Sequence, residues 1–226
     1  MYKIAMMSLL ALPLFAGFFP QTVHTSISKV LDNTVLLESS LPVPGMSGVI
    51  IHNYGNDLDA ITSRMVQKSS GKVSLLKGTS IHHDKLPTIK TAITSGDKVI
   101  GGYLYNNVLL LAPDAQTYAK ITSQHTKNWV HPDLFALFLS KVGDATPNKE
   151  NLEAFSKAYQ VGLIYIASNG TGKLLDPISG KIVGQKVLTD LPLKGKVPFF
   201  MRFNEIDSGW FGGSAKGNYY QLMDKI

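Results

Sequence analysis

Six histidines are the first residues that could do chemistry, and a bound metal is the chemistry they would do. Their spacing argues against it. His82 and His83 are adjacent, and neighbours on an extended chain point to opposite faces, so they do not converge on one ion. His125 and His131 stand six apart across an expected helix break, with no third ligand at a recognisable interval. No metal is assigned. The run Ser69-Ser70-Gly71-Lys72 matches the S-x-x-K of serine acyl enzymes, but the accompanying S-D-N and K-T-G elements are missing. It reads as a polar turn. Gly170-Thr171-Gly172-Lys173 imitates the end of a phosphate loop, yet Ala167 stands where the first glycine belongs and Leu174 where the magnesium-binding hydroxyl belongs. It reads as a turn between strands, so no nucleotide or other cofactor is assigned.

Carboxylates are equally sparse as a catalytic set. Asp57 and Asp59 flank one residue in a Gly/Asn-rich loop without the further oxygen ligands of a calcium site. Glu205 and Asp207 lie close to Trp210 and Phe211, and an acid–base pair there would need a pocket to shift their proton affinities. A solvated, capped loop is the simpler assignment. Trp210 and Phe211 sit among Gly209, Gly212 and Gly213, with Tyr219-Tyr220 beyond. Two readings stand for these aromatics: a contact surface for a partner, because aromatic side chains dominate such surfaces, or a lid on the last strand. No catalytic residue is assigned, and the chain reads as non-enzymatic.

The positions are set by a chain that begins like an export signal. Lys3 gives a positive start, Ile4–Phe15 is almost wholly apolar, and Ala16-Gly17 offers small residues for cleavage. Residues 1–17 are therefore expected to be a signal peptide, with an uncleaved anchor as the alternative because Leu14 occupies the −3 position. Removing Lys3 takes the formal charge from +6 to +5. That charge is mild and scattered, which gives no nucleic-acid stripe. With no cysteine in the chain, disulfides, thiol chemistry and a lipidated cysteine are excluded. After residue 20 no run reaches the ~18 apolar residues of a membrane helix.

Two lobes are predicted, packed together because no Gly-, Ser- or Pro-rich linker divides them. Residues 18–112 form a β-rich lobe, a small barrel or a sandwich, from strands near 22–30, 34–38, 49–51, 60–67, 72–76 and 87–94. Val99–Ala112 is expected to be a hairpin turning at Asn106-Asn107. Residues 113–226 form an α+β lobe. Its helices run from Asp114 to about Thr126, from Pro132 to Val142 with Gly143 as stop, and from Thr146-Pro147 onward. The apolar stripe of the second is expected at Leu134, Leu137, Phe138 and Val142. An antiparallel meander follows over 161–167, 173–176 and 181–188, with a further strand at Pro198–Phe203.

Several segments carry a resemblance: Gly96-Asp97, Asn107 into Val108–Pro113, Asp133-Leu134 with Phe138-Leu139, Tyr159–Ile166, Pro198-Phe199-Phe200, Ile206-Asp207-x-Gly209, and more weakly Leu86-Pro87-Thr88. Through them the chain resembles the N-terminal domain of the plasminogen-binding protein A family, from the envelopes of curved, flagellated Gram-negative bacteria. The resemblance is good from about residue 86 to 224. On this reading 22–226 is one compact family unit. The resemblance implies an exported binding protein, in the periplasm or at the cell surface, with host plasminogen as a partner. Named members continue into a lysine-rich tail, whereas this sequence stops at Ile226, so Lys225 beside Asp224 is the candidate for capture by a kringle. Trp210 and Phe211 complete the expected partner-binding set. The alternative is a periplasmic structural or assembly subunit of an envelope machine such as the flagellar motor, with other envelope proteins as partners.

Overall fold

The computed structural model describes residues 17–31, 34–77, 91–206, 215 and 217–226. Six strands, β1 (Val23–Leu31), β2 (Thr34–Leu37), β3 (Ser47–Asn53), β4 (Asp59–Ser69), β5 (Lys72–Leu75) and β6 (Lys98–Gly101), close into an antiparallel barrel. Its order is β1-β2-β5-β4-β3-β6. Alternation along the strands turns Ile27, Val35, Leu37, Ile50, Met65, Val73 and Val99 inward. Closure leaves no free edge in so small a sheet. Buried Gln67 fastens the loop after β2: its Oε1 accepts from Leu41 N at 2.8 Å, and its Nε2 donates to Leu41 O and Val43 O at 3.0 Å.

The second sheet has order β11-β10-β9-β7-β8, built from β7 (Asn107–Leu111), β8 (Asn128–Val130), β9 (Leu163–Ser168), β10 (Thr171–Asp176) and β11 (Lys181–Val187). β7 runs parallel to β8 and β9, while β9, β10 and β11 form the expected antiparallel meander. The β9–β10 link is a two-residue turn at Asn169 (φ 47°) and Gly170 (φ 70°), the left-handed pair that suits a tight hairpin. One face of the sheet meets the barrel: Val108, Leu110, Tyr165, Ala167 and Leu174 share a core with the barrel interior and with Ile121. The opposite face, with Leu109, Leu111, Ile164 and Ile166, packs on Phe135, Leu139, Leu152 and Phe155. The α+β class and the barrel are thus both present.

Helix α1 (Ala115–Gln124) starts on Asp114, whose side chain accepts from Thr117 N at 2.7 Å. Helix α2 (Pro132–Val142) has proline in its first turn and Gly143 in the left-handed cap, as expected. Helix α3 (Lys149–Tyr159) begins later than Thr146-Pro147, because Asn148 and Asn151 form a reciprocal capping box. A short helix, α4 (Tyr219–Met223), closes the described chain. None of the described helices is long and apolar enough to cross a membrane.

Four local expectations are corrected. Val99–Ala112 is not a hairpin: β6 pairs with β1 and β3 in the barrel, whereas β7 pairs with β8 and β9. Positive φ falls at Gly102 and Leu104, not at Asn106-Asn107. The run Val108–Leu111 is apolar at every position, so it needs cover on both faces and takes an interior place in the second sheet, between β9 and β8. The change of sheet therefore lies at 102–106. Pro198–Phe203 forms no ladder; Phe199 and Met201 drop into the helix-side core, and Phe200 N donates to Ala112 O at 2.8 Å. On α2 the buried stripe is Phe135, Ala136 and Leu139, with Leu134, Leu137 and Val142 exposed. That helix is apolar around much of its girth, so periodicity alone did not choose its inner face. Thr91–Thr94 is not a strand, and residues 87–90 lie outside the described residues.

Candidate binding sites

Asp224 and Lys225 follow α4, which is pinned rather than loose. The buried Tyr219 hydroxyl donates to Leu111 O at 2.9 Å and Ala167 O at 2.7 Å, and burial raises its pKa well above the ordinary phenol value. Asp224 accepts from Ser168 Oγ at 3.3 Å and from Asn169 Nδ2, which ties the helix end to the β9–β10 turn. Lys225 is exposed, and its ammonium has no side-chain partner among the described residues. The structure thus gives these two expected site residues different employment: Asp224 holds the fold and Lys225 faces solvent. Trp210, Phe211 and Asp207 lie outside the described residues, as do His82 and His83; Glu205 is exposed.

A second cluster escaped the sequence reading. Phe18 and Phe19 pack at 5.1 and 6.1 Å from the Tyr165 ring, between the second sheet and the barrel's first strand. Lys186 lies 4.6 Å over Phe18 and Lys127 4.8 Å over Phe19, both within range of a cation–π attraction. Burial lowers the pKa of both lysines. His125 Nε2 is 3.0 Å from Lys186 Nζ, and burial, then Lys186 and Lys127, lower its pKa. A neutral imidazole accepting from the Lys186 ammonium satisfies all three facts. His125 is therefore a packed aromatic of a basic platform. No local signal announced it, since its members span residues 18 to 186.

The third arrangement lies where the lobes join. Asp176, fully buried on β10, accepts from Ser47 N at 2.8 Å and from the Tyr105 hydroxyl at 2.6 Å. It also caps Ile178 N and Ser179 N at 2.9 and 3.0 Å. Burial and the adjacent carboxylate push the Tyr105 pKa far up, so this hydroxyl stays a donor. Beside this strut opens a cleft of about 170 Å³, bounded by Val49, Ile61 and Arg64 of the barrel and by Tyr103, Ser156 and Val161. Gly162 shapes it from below: a Cβ there would stand 2.2 Å from Leu104 O.

A remaining pair is the barrel's His52 and Asp97. His52 Nδ1 lies 2.7 Å from Asp97 Oδ1, and Asp97 also accepts from Thr94 N at 2.9 Å. The pairing braces the turn before β6. Among the described residues no hydroxyl nucleophile is hydrogen-bonded to this imidazole.

A family model described as "Plasminogen-binding protein pgbA N-terminal" matches residues 22–226. The chain belongs to this family. Plasminogen-binding protein PgbA of Helicobacter pylori strain J99 / ATCC 700824 is 31% identical over 153 residues, which covers 65% of this chain and 33% of that protein. PgbA of Helicobacter pylori strain ATCC 700392 / 26695 matches to the same extent. The match thus spans about a third of the length of these PgbA relatives. No solved structure gives a significant match. The matched region of this PgbA N-terminal chain includes the barrel, the second sheet and α4 with Lys225.

Proposed function

We propose that this chain is an exported, non-enzymatic binding protein of the bacterial envelope that captures plasminogen through lysine side chains, Lys225 foremost. The observation that supports it most is the family match across 22–226, together with similarity to two proteins named for plasminogen binding. Lys225 suits the role because it is exposed and joins no ion pair among the described residues, which leaves its ammonium open to a partner's acidic pocket. Trp210 and Phe211 would supply flanking apolar contact. Export is supported by the Lys3, Ile4–Phe15, Ala16-Gly17 pattern. Plasminogen lies outside the cell, so this reading places the protein at the cell surface.

The test is binding of the full chain to immobilised plasminogen with and without a lysine analogue in excess. Loss of a charge-assisted hydrogen-bonded contact weakens binding by roughly ten- to a hundredfold, so Lys225→Ala should do so, and the analogue should abolish binding. Binding indifferent to both would sink the proposal. Protease shaving of intact cells should degrade the protein; full protection would place it in the periplasm instead.

A further inference from the structure

We infer that the cleft between the barrel and the second sheet is a binding site for a carboxylate that carries a small apolar group. Its evidence is independent of the plasminogen reading. Arg64 lies on β4 opposite Val49 of β3 and lines the cleft half-buried. Its Nε is buried with no hydrogen-bond partner, and the side chain joins none of the ion pairs among the described residues. A guanidinium taken from water normally finds an acceptor, because its donors lose their hydration otherwise. Among the described residues that line this cleft there is no aspartate or glutamate.

Ser156 of α3 repeats the anomaly from the opposite wall. It is 3% exposed, and its Oγ is buried without a partner. Helical hydroxyls commonly satisfy themselves on a carbonyl one turn back, and in this same molecule Thr122 donates to Tyr118 O at 2.9 Å and Ser123 to Lys120 O at 2.9 Å. Ser156 does neither. Two residues that line this cleft from opposite walls, one of them a cation, thus each carry a polar atom without a protein partner. The Arg64 guanidinium is without an anion among the described residues, and the acceptor that matches its planar fork with two oxygens and one negative charge is a carboxylate.

The walls choose the rest of the ligand. Val49, Ile61, Leu104, Val161 and Ile178 are apolar, so the part beyond the carboxylate must be apolar and small enough for about 170 Å³. Among the described lining residues the other cation, Lys157 at the rim, is paired with Glu153 at 2.6 Å, so a phosphate's second charge finds no free cation there. The cleft is also built in advance. The Asp176 strut holds Ser47 and Ile178, and the Gly162 contact with the Leu104 backbone holds the floor. The same chemistry is found at the C-terminus of a peptide ending in an apolar residue and in a free short branched acid.

The test uses the full chain with methyl-resolved NMR titration by three probes: N-acetylglycylvaline, its C-terminal amide, and isovalerate. Saturable shifts of Val49, Ile61 and Val161 methyls are expected with the acids, and the amide should bind at least ~10-fold more weakly, the loss of one charged contact. Tighter binding of the dipeptide than of isovalerate assigns a peptide terminus; equal or tighter isovalerate binding assigns a free acid. Arg64→Gln should weaken the acids by a similar factor. Ser156→Ala should weaken them a few-fold while leaving the melting temperature unchanged or higher, because it removes a buried unmet hydroxyl. Equal binding of acid and amide, or no shift of those methyls with any probe, would overturn the inference.

Discussion

The barrel and the second sheet solve the same problem in opposite ways. In the barrel, six strands pair antiparallel and close on themselves, so one face of each strand is enough to make a core. The second sheet stays open and needs two covers, the barrel on one face and α2 with α3 on the other. Its central strand β9 is accordingly buried at every position, Leu163–Ser168. The barrel's own polar burials are single side chains that clip loops, such as Gln67 and Asp97. Between the regions, the polar burial is Asp176, which belongs to one sheet and bonds the other. An open sheet covered by a barrel depends on that junction, whereas a closed barrel does not depend on its neighbour for edges.

The sharpest way to break this contrast is Asp176→Ala. It strands Ser47 N, Ile178 N and Ser179 N, and leaves the Tyr105 hydroxyl unmet. Together these should cost about 4 kcal/mol, and chemical denaturation should split into two transitions, with the second sheet unfolding first. A single transition with a loss below ~1 kcal/mol would show that the strut does not couple the regions.

Gln67→Ala asks the converse question within the barrel. Three bonds to Leu41 and Val43 are lost, with an expected cost of about 2 kcal/mol. Amide exchange should quicken in the loop after β2, with β9 and β10 unaffected. In the meander, Gly170→Ala places a Cβ on a left-handed residue at φ 70° and should cost about 1 kcal/mol. Measured by thermal melting, an unchanged midpoint would contradict the tight-turn assignment.

The smallest effect concerns the basic platform. Burial and two ammoniums lower the pKa of His125, so the unfolded chain binds the proton more readily than the folded one. That contribution is therefore complete above the unfolded value of ~6.5 and is lost as pH falls through the folded value. Stability followed from pH 7 to 5 should decline less steeply in His125→Gln. Equal slopes would mean that the imidazole is not held neutral.

Much of this architecture was legible in local pattern. The caps at Asp114, Pro132 and Gly143, the Asn169-Gly170 turn and the barrel's alternating strands each depend on chemistry within a few residues. The candidate sites were legible in part. Lys225 was named from the sequence and faces solvent, but the use of Asp224 to clamp Ser168 and Asn169 required a fold that brings residues 55 apart together. The Arg64 and Ser156 cleft gave no signal, because an unmet hydrogen bond is defined by what fails to surround it.

The amino-acid sequence by itself therefore determined the class of the chain: α+β, cysteine-free, with two kinds of periodicity and a family pattern from Gly96 to Gly209. These are properties of short windows, in which side-chain period and turn chemistry act directly on the backbone. Only the tertiary structure decided which sheet received β7, which face of α2 turned inward, and which polar atoms met across the lobes. Each of those choices compares burial on one surface with burial on another, and that comparison exists only once both surfaces are present.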